Sequence, residues 1–180
     1  MKRYIIEESP FSHFLLSDTR IAPLWLIVRV YLGWTWLAAG WGKFNNPAWI
    51  GDDVGQAMVG FVERALTKTE GAHPDVQWWY AWFLQNLVQP YPEVWAYFIT
   101  FGEILVGLAL IAGFLVGVAA FFGLFMNANF LLAGTVGINP VMAALAIGLI
   151  LAWRVAGYLG ADRYVLPLLH HYIRPRIRGS

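Results

Sequence analysis

The sequence predicts an all-α integral membrane protein: a four-helix bundle with an outer amphipathic and aromatic helical loop. Three observations predict it. Of 180 residues, 59% are hydrophobic and 13% charged, against about a quarter charged in an ordinary soluble domain. Four segments are apolar over roughly the 20 residues that a helix needs to cross a hydrocarbon core: 22–42, 94–113, 115–134 and 140–159. The last three are joined by two very short loops, so they form antiparallel neighbours. Ten tryptophans and twelve phenylalanines suit a chain with interfacial aromatic belts.

The first twenty residues include Glu7, Glu8, Pro10 and Asp18 and lack a signal-peptide core, so the first span is expected to stay in the mature protein. Gly113 suits a helix stop and Pro140 a helix start. The whole chain, 1–180, reads as a single transmembrane domain with a long loop at 43–93. After the fourth span come Arg163, Arg174, Arg176 and Arg178 against one acid, Asp162. The long loop holds Lys43, Arg64 and Lys68 against Asp52, Asp53, Glu63, Glu70, Asp75 and Glu93. Lys and Arg favour the cytoplasmic side, so both termini are expected in the cytoplasm and the long loop outside.

Within that loop Val54, Met58, Phe61 and Ala65 recur at helical spacing, leaving Asp52, Asp53, Glu63 and Arg64 to face water. Trp78, Trp79, Tyr80, Trp82 and Trp95 crowd the approach to the second span. Helices over 50–66 and 76–88, lying on the outer leaflet, are the expectation. They serve as an anchor or as a hydrophobic porch for a lipid-soluble ligand.

Arg29, Gly33, Trp36, Gly40 and Lys43 share one face of the first helix. The glycines admit a close neighbour, so Arg29 should point into the bundle. An arginine inside a span costs about 2.5–3.5 kcal/mol on insertion scales and needs a partner. The one acid inside any span is Glu103. At ~1.5 Å per residue, Arg29 lies ~10 Å and Glu103 ~15 Å above the cytoplasmic ends of their spans. An Arg29–Glu103 pair is therefore expected, with Gly107 allowing close packing. Such a pair either fixes helix register or works with a ligand that uses Arg29, Lys43 or Asn127 as donors.

Asn127 shares a face with Gly123, Leu131 and Gly134, whereas Asn129 points elsewhere. Ala144, Gly148 and Ala152 form a small-residue seam in the fourth span. Arg154 sits near a span end, where it can snorkel to headgroups. Cysteine is absent and the histidines (His13, His73, His170, His171) lie outside the spans. Disulfides, thiolate chemistry and an intramembrane bis-histidine haem are thereby excluded, and no metal ligand set is apparent. The net charge of +1 gives no footprint for nucleic acid.

The segments "RVYLGWTWLAAGWGKF", "FGEILVGLALIAGF", "FMNANFLLAGTVGINP" and "LILAWRVAGYLGADRYVLP" resemble the DoxX/DoxD-like membrane protein family. The nearer likeness is to its DoxD-type branch, the large subunit of thiosulfate:quinone oxidoreductase. The resemblance runs from about residue 20 to 168. The family pattern falls on Arg29, Gly33, Gly40, Lys43, Glu103, Asn127, Asn129, Arg154 and Asp162–Arg163. It implies a four-helix bundle in a prokaryotic plasma membrane that oxidises thiosulfate to tetrathionate, passes electrons to quinone and sits beside a smaller subunit.

No metal, dinucleotide or flavin motif is visible, so under that reading quinone is the redox cofactor and the protein supplies binding and electrostatics. Lys43 at the outer mouth is the donor for a thiosulfate dianion. Arg29, Trp36, Asn127, Asn129 and Arg154 complete the candidate binding set, with Glu103 and Arg29 as the catalytic candidates and Glu103 relaying protons. The implied partners are membrane lipid, quinone, and a separate small redox subunit or larger respiratory complex, with homo-oligomerisation left open. The competing class is a non-catalytic accessory subunit of such a complex. A lipid or solute carrier is disfavoured, because no broken helix pair or repeat is seen.

Overall fold

A computed structural model describes residues 9–173, with side chains to Leu169. The expectations resting on Glu7, Glu8, His170, His171, Arg174, Arg176 and Arg178 fall outside the described backbone or side chains. The described chain is helical, and no strand occurs among the described residues.

A short first helix, α1 (Pro10–Ser17), was not expected from the sequence. Ser9 caps it, its hydroxyl accepting from the Ser12 N–H at 3.2 Å. The Trp25 indole N–H donates to the Leu15 carbonyl at 2.8 Å and ties α1 to the next helix. That helix, α2 (Ala22–Phe44), and α5 (Pro92–Ala112) begin with proline in the first turn, where the missing N–H costs nothing. Thr19–Phe44 and Pro92–Ala112 are long and apolar enough to cross a membrane.

α2 and α5 pack through glycine as expected. A Cβ on Gly107 would lie 2.6 Å from the Leu37 backbone nitrogen, and one on Gly40 would lie 2.9 Å from that of Ile104. The helices can hold this distance only without those side chains.

Between them, α3 (Gln56–Leu66) and α4 (Trp78–Phe83, prolonged by a π turn over Leu84–Val88) cover one end of the bundle, here called the loop end. Met58, Val62, Tyr80, Leu84 and Val88 form its apolar underside together with Ala133. Asp52, Asp53, Glu63 and Arg64 face outward, as expected. Trp78, Trp79 and Trp82 are exposed.

The remaining apolar segments are α6 (Val116–Leu132) and α7 (Asn139–Leu151). At 17 and 13 residues they fall short of the roughly 20 of a straight crossing. The expected fourth helix over 140–159 is broken: the backbone bends at Ala152, and α8 (Trp153–Ala156) carries on for one turn. Trp153 sits where a Cβ on Gly117 would be 3.0 Å away, so the bend seats the indole against α6. Hydropathy has no signal for such a bend.

The expected seam at Ala144, Gly148 and Ala152 holds in part, with Ala152 fully buried. Ala144 is exposed, and the buried stripe is Met142, Ala146 and Leu149. Gly148 instead accommodates the Trp25 ring. A last helix, α9 (Asp162–Ile173), begins at the opposite, terminal end, where α1 packs on α8.

Candidate functional site

Arg29 and Glu103 do not pair. Both are buried, each 1% exposed, but they lie at different levels. Gly33 abuts Gly107 and Ile111, while Gly40 abuts Glu103 and Ile104. Glu103 is thus level with Gly40, about 16 Å along α2 from Arg29 at 1.5 Å per residue. The depth estimate failed because it set the ends of the two spans level with each other. In the fold, α2 extends beyond α5 at the terminal end by roughly two turns.

The partner of Glu103 is Lys43. Its Nζ donates to Glu103 Oε2 at 2.7 Å and lies 5.2 Å from the centre of the Trp49 ring. Lys43 is on the last turn of α2, where the helix dipole favours a cation. Its side chain is 19% exposed against 1% for Glu103, so Lys43 is a largely covered counter-ion and not the free rim charge expected from sequence. α2 runs on through Phe44, so Lys43 stays on the shared face and its side chain reaches Glu103.

Further polar groups converge on the same interior. Thr100, fully buried, lies on the Glu103 face of α5 one turn nearer the loop end. Sequence reasoning missed it, although the three-residue spacing from Glu103 would have revealed it. Trp36 is buried with its indole edge against Gly123, and its ring stacks on Phe130 at 6.4 Å. Asn127, one turn on from Gly123, donates through Nδ2 to the Asn139 carbonyl at 2.9 Å. Trp36 Nε1, Thr100 Oγ1 and Asn127 Oδ1 have no hydrogen-bond partner among the described residues. Three unpartnered buried polar atoms are costly in an apolar interior.

Asn129 faces away from this interior, as expected. The Tyr80 hydroxyl donates to its backbone carbonyl at 2.9 Å, and its own Nδ2 donates to the Phe125 carbonyl at 2.8 Å. Burial pushes the Tyr80 phenol up from its ordinary value.

Arg29 belongs to a second site at the terminal end. Its Nη2 donates to the Leu159 carbonyl at 3.1 Å, while Nε and Nη1 lack partners among the described residues. A Cβ on Gly113 or Gly160 would overlap the guanidinium, so two bare backbones wall it in. Beside it the Asp162 carboxylate accepts the N–H of Leu115 at 2.6 Å and of Val116 at 2.9 Å. In return the Ala161 and Asp162 N–H groups donate to the Ala112 and Gly113 carbonyls at 3.1 and 2.8 Å. Burial pushes the Asp162 carboxyl up, against the pull of those two N–H groups and of Arg29.

Leu115 holds a left-handed φ of 47°, a conformation costing a side-chain-bearing residue roughly 1–2 kcal/mol. The Asp162 bond fixes it there. Arg154 joins neither site: it is exposed, with its guanidinium 5.1 Å from the Trp153 ring centre.

Residues 24–135 match the DoxX family. This chain is a DoxX-family protein. The match takes in Lys43, Glu103 and Asn127 of the loop-end site and Arg29 of the terminal-end site, and stops before Asp162. DoxX-family proteins are membrane proteins, in keeping with the two helices long enough to span. No curated protein and no solved structure gives a significant match.

Proposed function

We propose that this DoxX-family chain is a DoxD-like, multi-pass subunit of a quinone-linked oxidoreductase in a prokaryotic plasma membrane. Four apolar helices cross the bilayer, α8 completing the path of α7, with both termini in the cytoplasm. The observation that carries the reading is the Lys43–Glu103 pair, enclosed by apolar helices near the unpartnered Trp36, Thr100 and Asn127 atoms. Ionisable residues at such depth are expensive, and function is the usual reason to retain them. A packed apolar pair would serve stability at least as well.

A quinone, when bound, accepts two electrons and two protons. The chain's own residues supply the rest. Glu103 can hold or release a proton, and Lys43 stabilises its carboxylate form. Trp36 carries an N–H, Thr100 a hydroxyl and Asn127 a carbonyl oxygen, none with a partner among the described residues, so this interior holds both donors and acceptors. The roof of α3 and α4 limits water.

Thiosulfate, going to tetrathionate, is the electron donor that the DoxD-like resemblance implies. Its dianion would meet Lys43 once Glu103 is protonated and the ammonium is released, which couples anion binding to proton uptake. The test is thiosulfate-driven reduction of decylubiquinone by the purified chain in proteoliposomes, with and without Glu103→Gln. Turnover by the parent and its loss in the folded variant is the expected result. Inactivity of the parent would overturn it.

One observation favours a second reading, a non-catalytic accessory subunit beside a small redox subunit or larger respiratory complex. Lys43 is already neutralised by Glu103, so this site as it stands offers a dianion no net positive charge. Copurification of a stable respiratory complex, with no activity in the isolated chain, is the outcome that would favour it.

A further inference from the structure

The seam between α5 and α6 holds two apolar spaces that meet. A partly open cavity of about 160 Å³ lies under α3 and α4, with Met58, Tyr80, Leu84, Ile99, Asn129 and Phe130 in its wall. A groove of about 360 Å³ runs from it along the outside of the seam past Gly102, Leu105, Ala109, Val118 and Phe122. Phe98, Phe125 and Met126 border both. Gly102 lines the groove beside them, where a Cβ would sit 3.2 Å from the Met126 sulfur. Leu105, Val118, Phe98 and Phe125 are more than half exposed, and in a bilayer that exposure is to lipid tails.

The two spaces differ in what they fit. An apolar cavity of roughly 150 Å³ takes one benzene-sized ring. The groove is open and apolar along its length, which suits a hydrocarbon chain. The cavity wall has one polar edge, the Asn129 amide beside the Tyr80 hydroxyl. Tyr80 spends its proton on the Asn129 carbonyl, and one of the two Asn129 amide hydrogens goes to Phe125. The second hydrogen is left to donate. Ile99, also in the wall, is one helical turn from Glu103 on α5, so the cavity lies on the loop-end side of the Lys43–Glu103 pair without touching it.

We propose that this cavity and groove form a lateral entry site for a single-ring, carbonyl-bearing lipid with a hydrocarbon tail. The ring lodges under Tyr80 with its carbonyl on Asn129, and the tail lies between α5 and α6. Phe98, Phe125 and Met126 are the threshold that it crosses from the bilayer. This rests on the quinone-linked reading above and gives it a place of binding.

The test is photolabelling of the full-length chain in phosphatidylcholine nanodiscs with a ring-azido decylbenzoquinone, read by mass spectrometry of labelled peptides. Saturable labelling within 80–88 and 125–130 is expected, displaced by decylubiquinone and not by n-decylbenzene. Ile99→Trp from α5 and Met58→Trp from α3 each fill the cavity and should lower labelling at least about tenfold. Asn129→Leu, which keeps the Tyr80 bond to the backbone carbonyl, should weaken it several-fold. Undiminished labelling in a folded cavity-filling variant would overturn the site, and equal displacement by n-decylbenzene would overturn the carbonyl contact. Labelling at these segments without thiosulfate-driven turnover supports the site while ending the thiosulfate reading. Turnover with label elsewhere would overturn the site alone.

Discussion

The buried charges at the two ends of the α2–α5 pair are held in contrasting ways. At the loop end, Lys43 and Glu103 meet directly at 2.7 Å, carboxylate inside and ammonium toward the rim. At the terminal end, Arg29 makes no ion pair among the described residues; it fills a slot between Gly113 and Gly160 and bonds a backbone carbonyl. Asp162 beside it is given over to the α6 N-terminus. The first arrangement is a contact between two side chains and holds no backbone group. The second joins α2, the α5–α6 turn and the start of α9 at one point, and any change there disturbs all three. One face of one helix thus carries a direct ion pair at one end and a backbone-anchored arginine at the other.

The largest expected effect breaks the loop-end pair from one side. Glu103→Leu leaves Lys43 largely covered without its counter-charge and should cost about 3–5 kcal/mol, read by reversible unfolding in mixed micelles. Adding Lys43→Met should recover most of that loss, whereas adding Arg29→Met should not. Recovery by Arg29→Met would restore the pairing expected from sequence. Next comes Gly113→Ala, which combines overpacking against the guanidinium with a left-handed φ of 69° and should cost about 3 kcal/mol. A double-mutant cycle with Arg29→Ala should be sub-additive by at least 1 kcal/mol or so. Additivity would mean that the glycine serves the turn alone.

These variants also mark what the sequence could and could not disclose. The four apolar segments, the glycine contacts of α2 with α5 and the inward face of Arg29 were all legible, because each depends on spacing along one helix. The partner of Glu103 was not. It depends on how far one helix slides along another, and a shift of two turns replaced Arg29 with Lys43. Asp162 appeared as an acid after the fourth span and as a position of the family pattern, with no contact assigned to it, because its bonds to Leu115 and Val116 form across the fold. Asn129 was read correctly as leaving the Asn127 face, but its meeting with Tyr80 needed the placement of α4. The bend at Ala152 left no trace in hydropathy.

The smallest expected effect concerns the roof. Tyr80→Phe removes a hydroxyl bond and should cost about 1 kcal/mol near neutral pH. Because burial raises the Tyr80 phenol, its folded form keeps its proton after an unfolded tyrosine, near pH 10, has lost it. The associated stability is fully present below about pH 10 and declines as pH rises through the folded value. Melts between neutral and strongly alkaline pH should fall more steeply for the parent than for Tyr80→Phe. Parallel curves would show that the hydroxyl is open to water.

The central claim, that Glu103 exchanges a proton during quinone turnover while the terminal-end site does not, is met most directly by infrared difference spectroscopy. Spectra of the reconstituted chain would be taken between oxidised and reduced quinone. A protonated-carboxyl stretch that changes with the redox state, vanishes in Glu103→Gln and persists in Asp162→Asn is the predicted result. A carboxyl signal untouched by Glu103→Gln, or one lost only in Asp162→Asn, would contradict the account.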